Sequence, residues 1–343
     1  MSKPVIPSVD FDIKDYRKLL GSESLDQLVS DPAMRFDSAE DATVFFAREL
    51  DNIKTETYDV LYPEFTALRL FPTSSEVNIG AETITWYSYD KTGLAKIIHN
   101  YATDLPRVDV KGKPYTSHIK SIGDAYGYSI QEMRASRMAG KSLDVRKGEA
   151  ARYAIEYQSN RIAWAGDEEA QLMGVLSPWN DVPIYAMPAN AAGTSTRFED
   201  KTPAEILANI SAAYRFVAFI TKSVEKPDTL ALPTDAYLHL FDTPRSDASD
   251  LSVGQWILKN MPRLKNIEEA PELNSDSDIT PYPGQGTGLF YKKDKRKLTI
   301  ETPLPFYQHP IQPKGLEFEI PCESREAGAI IYYPLSMLIL FGV

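Results

Sequence analysis

Apolar and polar positions along the chain follow two different periods, and the places where the period changes mark its parts. From Glu82 to Lys113, in "ETITWYSYDKTGLAKIIHNYATDLPRVDVKGK", Ile84 and Trp86 alternate with Thr85 and Tyr87 at strand period. The wider stretch from Glu76 to Asp124 carries six acidic residues against six basic ones, namely Lys91, Lys96, Arg107, Lys111, Lys113 and Lys120. This predicts a two-stranded ribbon with two half-wet faces and little apolar surface to bury. A two-stranded hairpin alone is marginal in water, so the pattern raises the question of what covers it.

After "SIGDAYGYS", which reads as a small-residue turn, the period becomes helical. A short helix over "IQEMRASRMAGK" leads to a long one from about Asp144 to Leu172. Ala151, Ala154, Ile155, Tyr157, Ile162 and Trp164 fill one arc of it, and Glu149, Arg152, Glu156, Ser159 and Asn160 the other. Arg152 and Glu156 stand at pairing distance.

The next unit opens with clear punctuation. Thr202 is the expected N-cap, Pro203 the first helical residue, Glu205 the other half of a capping box, and Pro227 lies past the end. "DTLALP" reads as a buried strand and "TDAYLHLFD" as a short helix. Ser252 with Gln255 caps another helix, "VGQWILKNMP". Strands "LFYKKD" and "KLTIETPLPF" follow, then "GLEFEIPCESREAGAIIYYP", where Leu316, Phe318 and Ile320 alternate. Strands and helices alternate, so this unit is mixed α/β or α+β.

At the other end, the first forty residues read as an arm without a long apolar face. Ser38 and Asp41 then start a helix from Ala39 to Lys54, whose apolar side is Val44, Phe45 and Leu50.

Charge and composition narrow the function classes. The 343 residues carry a formal charge of -11, with 43% hydrophobic and 25% charged positions, a soluble globular composition with room for about two domains. An acidic surface of this kind argues against a phosphate-gripping protein. Cys322 is the one cysteine, so no internal disulfide forms, and the N-terminus has no apolar signal-peptide core. Synthesis in the cytoplasm is the expectation. The uncharged run "AGAIIYYPLSMLILFGV" approaches the length of a membrane span, but Pro334 and its β-branched bias make it two buried strands. No membrane partner is expected.

Candidate chemistry does not hold together. Asp90-Lys91-Thr92-Gly93 matches the start of an aspartyl-phosphate motif but stands where a hairpin turn is expected. Gly140-Lys141-Ser142 has Ala135 where a phosphate loop needs glycine. Gly284, Gly286 and Gly288 lack the following helix that holds a pyrophosphate. His99, His118, His239 and His309 have no helical partner spacing for a metal. Asp167, Glu168 and Glu169 read as a solvated face, and the Asn209 sequon lies in a helix. No catalytic residue, metal or cofactor is assigned.

The order of parts, together with four segments, carries a resemblance. "LMGVLSPW", "TLALPTDAYLHL", "ESREAGAIIYYPLSMLILFGV" and "SVGQWILKNMPRLKNIEEAPEL" resemble the major capsid proteins of tailed phages and prophages, whose fold is shared with encapsulins. The likeness spans about Ala39 to Val343. It implies an N-terminal arm and helix over 1–55, a peripheral domain beginning at 56–75, and an extended E-loop hairpin over 76–124. The peripheral domain with its spine helix resumes over 125–201, an axial domain fills 202–300, and return strands fill 301–343.

By the same resemblance the chain is a structural protein, not an enzyme. It builds an icosahedral head of hexamers and pentamers enclosing double-stranded DNA without sequence-specific binding. Trp86, Tyr87, Tyr89, Lys91, Lys96, Arg107, Lys111 and Lys113 become E-loop contacts with a neighbouring copy, and Arg152, Glu156, Tyr157 and Trp164 mark the spine helix. The arm is shorter than in relatives with a fused scaffolding region, so scaffolding would be a separate protein. A portal and a decoration protein are further implied partners, with the virion as destination and the bacterial host cytoplasm as place of assembly. Some members crosslink E-loop lysines to asparagine, but no acceptor for Lys91 or Lys96 is apparent. An encapsulin-like shell around an enzyme cargo is the alternative within the fold, and a soluble hydrolase is a more distant one.

Overall fold

The structure, a computed structural model, describes residues 64–93, 95, 107–139, 143–246 and 250–343. The expected helix at Ala39 to Lys54, Lys96, His99 and Gly140-Lys141-Ser142 lie outside them.

Two five-stranded sheets hold the core. One runs in the order Thr73–Ser74, Leu298–Glu301, Gly328–Ile331, Leu172–Met173, Gly166–Asp167. The other runs Ile184–Ala186, Leu338–Phe341, Thr287–Tyr291, Thr229–Leu232, Asn266–Glu269. The uncharged C-terminal run supplies one strand to each, and a single 3-10 turn at Pro334–Ser336 carries the chain between them. Every residue of Gly328–Ile331 is buried. The run is therefore the seam of the molecule, and no helix among the described residues is long and apolar enough to cross a membrane.

The second sheet is covered by the helix Pro203–Ile220, whose capping box forms as the sequence requires, with both halves present between Thr202 and Glu205. Ile206, Ile210, Ala213 and Val217 face inward at helical spacing and share a core with Leu230, Phe290 and Leu340. Burying one such side chain fully stabilises by about 1.5–3 kcal/mol. Helices Thr234–Asp242 and Val253–Asn260 complete this layer, the second also through a capping box, from Ser252 to Gln255.

A third sheet is built on Glu317–Glu326. Lys120–Ser129 pairs with it along its whole length, from Glu317 opposite Ser129 to Glu326 opposite Lys120. Leu304–Gln308 and Gln312–Lys314 pair with it as well. The small residues of "SIGDAYGYS" are thus strand, not turn. A ten-residue ladder outweighs their local turn preference, and Ile122, Tyr126 and Tyr128 supply half-buried side chains at period two. "KLTIETPLPF" likewise divides at Thr302 and Pro303 into Leu298–Glu301 and Leu304–Gln308, which join different sheets.

The long helix is Leu143–Ala165, ending seven residues before its pattern predicts. Gly166 stops it at a φ of 76°, and the hairpin Gly166–Asp167 with Leu172–Met173 folds over its end. There "LMGVLSPW" satisfies the terminal carbonyls. Val175 N–H donates to Ala163 O (2.9 Å) and Leu176 N–H to Trp164 O (2.7 Å). The Ser177 hydroxyl donates to Ala165 O and accepts from Gly174 N–H, both at 2.7 Å.

The buried face of the helix is also rotated from the predicted one. Ala154 is exposed, whereas Ser159 and Asn160 are buried. Ser159 is accommodated by donating to the carbonyl of Ile155 one turn back (2.9 Å). Asn160 belongs to a buried polar latch. Its Nδ2 donates to Glu272 Oε1 (2.9 Å), its Oδ1 accepts from Ala67 N–H (3.0 Å), and Glu272 also accepts from Thr66 N–H and Thr66 Oγ1. This latch ties the helix to both the segment before the ribbon and the 3-10 turn Pro271–Leu273.

The helix stop yields a test. A Cβ on Gly174 would lie 2.2 Å from Gly166 N and 2.7 Å from Trp164 O, both backbone atoms that cannot step aside. Gly174→Ala is expected to cost about 3 kcal/mol or more, read as a lowered midpoint in denaturant with the m-value unchanged.

Candidate assembly interface

The ribbon predicted from the sequence is present as Thr83–Thr92 and Asp109–His118, in unbroken antiparallel register from Thr83 opposite His118 to Thr92 opposite Asp109. Asp90 to Thr92 are therefore strand rather than turn. Its stabilising contacts are internal and local. Trp86 stacks on Tyr115 directly across the ladder (5.9 Å between centroids) and Tyr87 on Tyr89 along it (6.4 Å). Lys113 lies over the Tyr115 ring at 4.8 Å, and Asp90 stands opposite Lys111. Each such pair contributes roughly 0.2–1 kcal/mol. Pro114, opposite Tyr87, removes a donor from the ribbon's backbone, a device that suppresses indiscriminate strand pairing.

What the distal ribbon lacks is a cover. From Tyr87 to Thr92 and from Asp109 to Thr116 every side chain is exposed, on both faces, with Tyr87 at 63% and Tyr89 at 67%. Val108 and Val110 add further exposed apolar surface. Lys91, Arg107 and Lys111 are exposed as well.

Its root, by contrast, is tied to the body by groups that the sequence does not mark as a set. Arg325 forks to the carbonyls of Ile79 and Ala81, Ile119 N–H donates to Glu82 O (2.8 Å), and Ser117 Oγ donates to Ala327 O (3.4 Å). Trp86 meets Tyr332 edge-on at 5.6 Å. Trp86 is thus half-buried in its own chain, unlike Tyr87 and Tyr89. Arg325 and Tyr332 were within reach of sequence reading only as parts of the closing "ESREAGAIIYYP" segment.

The spine-helix residues divide similarly. Arg152 pairs with Glu156 at 2.7 Å on the exposed face, which raises the Arg152 guanidinium above its ordinary value through that hydrogen bond. Tyr157 donates to Asp278 Oδ2 (3.3 Å). Trp164 is fully buried, edge-on to Phe71 at 4.8 Å, and is a core residue.

Catalytic geometry does not gather. Among the described residues no group of three or more His, Cys, Asp or Glu side chains could hold a metal ion. His239 contacts Thr243, and His309 lies 3.1 Å from Glu323. Gly284 sits in a loop at a φ of 79°, and Gly288 is already inside a strand.

One buried carboxyl lies beside the root. Glu326 is 4% exposed, and burial holds its pKa above the ordinary value despite the neighbouring Ser159 and Ser324 hydroxyls, which favour the anion. A raised folded-state value means a contribution to stability that is complete below the ordinary glutamate pKa of about 4.3 and is lost as pH rises through the folded value. Glu326→Gln is expected to raise the melting temperature at neutral pH and to leave it nearly unchanged at pH 4. A lower melting temperature of the variant at neutral pH would contradict this reading.

A family model described as major capsid protein matches residues 93–343. Solved structures share the fold at low identity. A chain from the capsid of Myoviridae phage XM1 is 14% identical with a TM-score of 0.75, covering 88% of this chain and 100% of that one. A Gordonia phage Cozz chain is 14% identical with a TM-score of 0.59, covering 90% and 97% respectively. A chain from the capsid of a native GTA particle is 12% identical with a TM-score of 0.54, covering 89% and 99%. No curated protein sequence matches.

Proposed function

The chain belongs to the major capsid protein family, and we propose that its ribbon closes a shell by lying on a neighbouring copy. As a family member it is a structural subunit of a multimeric capsid, a component of the virion and not an enzyme. One observation carries the proposal: ten ladder pairs project from the body with their distal half uncovered on both faces. Balanced charge and exposed tyrosines suit a polar, partly hydrated contact between subunits. Lys91, Lys96, Arg107, Lys111 and Lys113 are assigned to that contact with Tyr87 and Tyr89, while Trp86 sets the angle at which the ribbon leaves.

The finer reading follows from the family. Residues 76–124 serve as the extended loop, 125–201 as the peripheral domain with its spine, 202–300 as the axial domain and 301–343 as the return strands, and the arm over 1–55 also reaches a neighbour. Hexamers and pentamers close an icosahedral head around double-stranded DNA in the bacterial cytoplasm, with separate scaffolding, portal and decoration proteins. The charge of -11 suits a wall that does not hold its DNA tightly.

Electron microscopy of the chain produced with its phage partners tests this. Closed particles filled with double-stranded DNA are expected. Small species under every salt and scaffold condition would overturn the shell, and a dedicated enzyme inside the particles would replace the phage head with a cargo compartment.

A further inference from the structure

Five bases fall in the seven residues 291–297, "YKKDKRK", of a chain that is otherwise acidic. Two are spoken for: Lys293 Nζ donates to the Arg69 carbonyl (2.8 Å), and Lys297 pairs with Glu225 (2.5 Å) while lying over the Tyr333 ring (4.0 Å). Lys295 and Arg296 are exposed at the tip and make no ion pair among the described residues. The tip is held firmly, since Asp294 accepts from Arg296 N–H through Oδ1 (3.0 Å) and from Lys297 N–H through its carbonyl (2.9 Å). Lys295 and Arg296 face the root of the ribbon across a cavity walled by Trp86, Tyr87, Tyr332 and Tyr333.

The acidic turn noted in the sequence is the complement. Asp167 Oδ1 accepts from Ala170 N–H (3.0 Å), and Gln171 N–H donates to Glu168 O (3.2 Å) with Gln171 at a φ of 57°. Glu168 and Glu169 are presented outward, exposed and without an ion pair among the described residues.

Strand register places the two turns at opposite ends of one sheet. Leu298, which follows the basic turn, is paired with Ile331, and Glu301 with Gly328. Met173 is parallel to Gly328, and the acidic turn precedes Leu172. The acidic turn therefore leaves the sheet at the Gly328 end and the basic turn at the Ile331 end. Within one chain they are held apart, so only a head-to-tail contact between copies, the kind that rotation closes into rings, can join them.

We propose that the aromatic-walled basic turn, with Lys295 and Arg296, receives the acidic turn with Glu168 and Glu169 of a second copy. This rests on the shell reading and specifies one of its contacts. Both turns are pre-ordered by their own backbone bonds, so little ordering entropy is lost on docking. Because the cavity is walled by Trp86, occupancy also holds the root of the ribbon.

Carbodiimide treatment of particles assembled from equal amounts of light and heavy-nitrogen subunits tests the contact. Mixed-label peptides joining Lys295 to Glu168 or Glu169 are expected in particles and not in dissociated subunits. Their absence from particles in which other Lys-to-carboxylate crosslinks between copies form would overturn the proposal. K295E/R296E and E168K/E169K are each expected to raise the concentration needed for assembly about tenfold or more, with unchanged melting of the free subunit, and the four-site charge swap to restore it. Normal assembly of K295E/R296E with loss of retained nucleic acid would identify a polyanion site instead and overturn the contact. Failure of the wild type to assemble at all would strike the shell reading itself.

Discussion

A ladder of backbone hydrogen bonds without a core beneath it sets the terms for the molecule. The ribbon satisfies its internal donors and acceptors through ten register pairs, yet only its root is covered, at Ile84, Trp86, Ser117 and His118, so on the proposed reading the order of its distal part depends on a neighbouring surface. A globular protein of this size has no shortage of apolar residues. Here they are spent on two sheets and their helices, and the projection is left polar, aromatic and charged. Such a division suits a subunit that must be soluble alone and adhesive in company.

The body is arranged to hold that projection at a fixed root. The third sheet continues the ribbon's returning strand, since Asp109–His118 gives way at Ile119 to Lys120–Ser129 and its long pairing with Glu317–Glu326. Arg325 at the end of that partner strand grips the outgoing chain, and the next strand carries the Tyr332 aromatic stop for Trp86 at its far end. Beneath them the spine helix is anchored by the Glu272 latch and stopped by the Gly166 and Gly174 pair. Orientation of the ribbon is thus passed to the core through few, well-ordered contacts rather than through a broad interface.

Much of this was legible in the sequence because it rests on local rules. The capping boxes at Thr202 and Ser252, the ribbon's alternation, the buried strand at Thr229–Leu232 and the Pro334 break each follow from neighbours within a few residues. Where sequence reading went astray, a distant partner decided the outcome. Lys120–Ser129 becomes a strand only because Glu317–Glu326 pairs with it. Ser159 and Asn160 turn inward because a backbone carbonyl and Glu272 satisfy them. The helix ends at Ala165 because a hairpin closes over it. The root of the ribbon was hidden for the same reason, as Arg325 and Ile79 are neighbours only after folding.

Hydrogen exchange on the ribbon's distal amides, compared between the free subunit and the assembled particle, measures the dependence of its order on neighbours most directly. In the free subunit these amides are expected to exchange far faster than those of Leu338–Phe341, and in the particle to be protected at least about a hundredfold more, as for other elements that gain stability only through contacts. Ribbon amides as protected in a dilute, isolated subunit as those of the central strands would contradict the account.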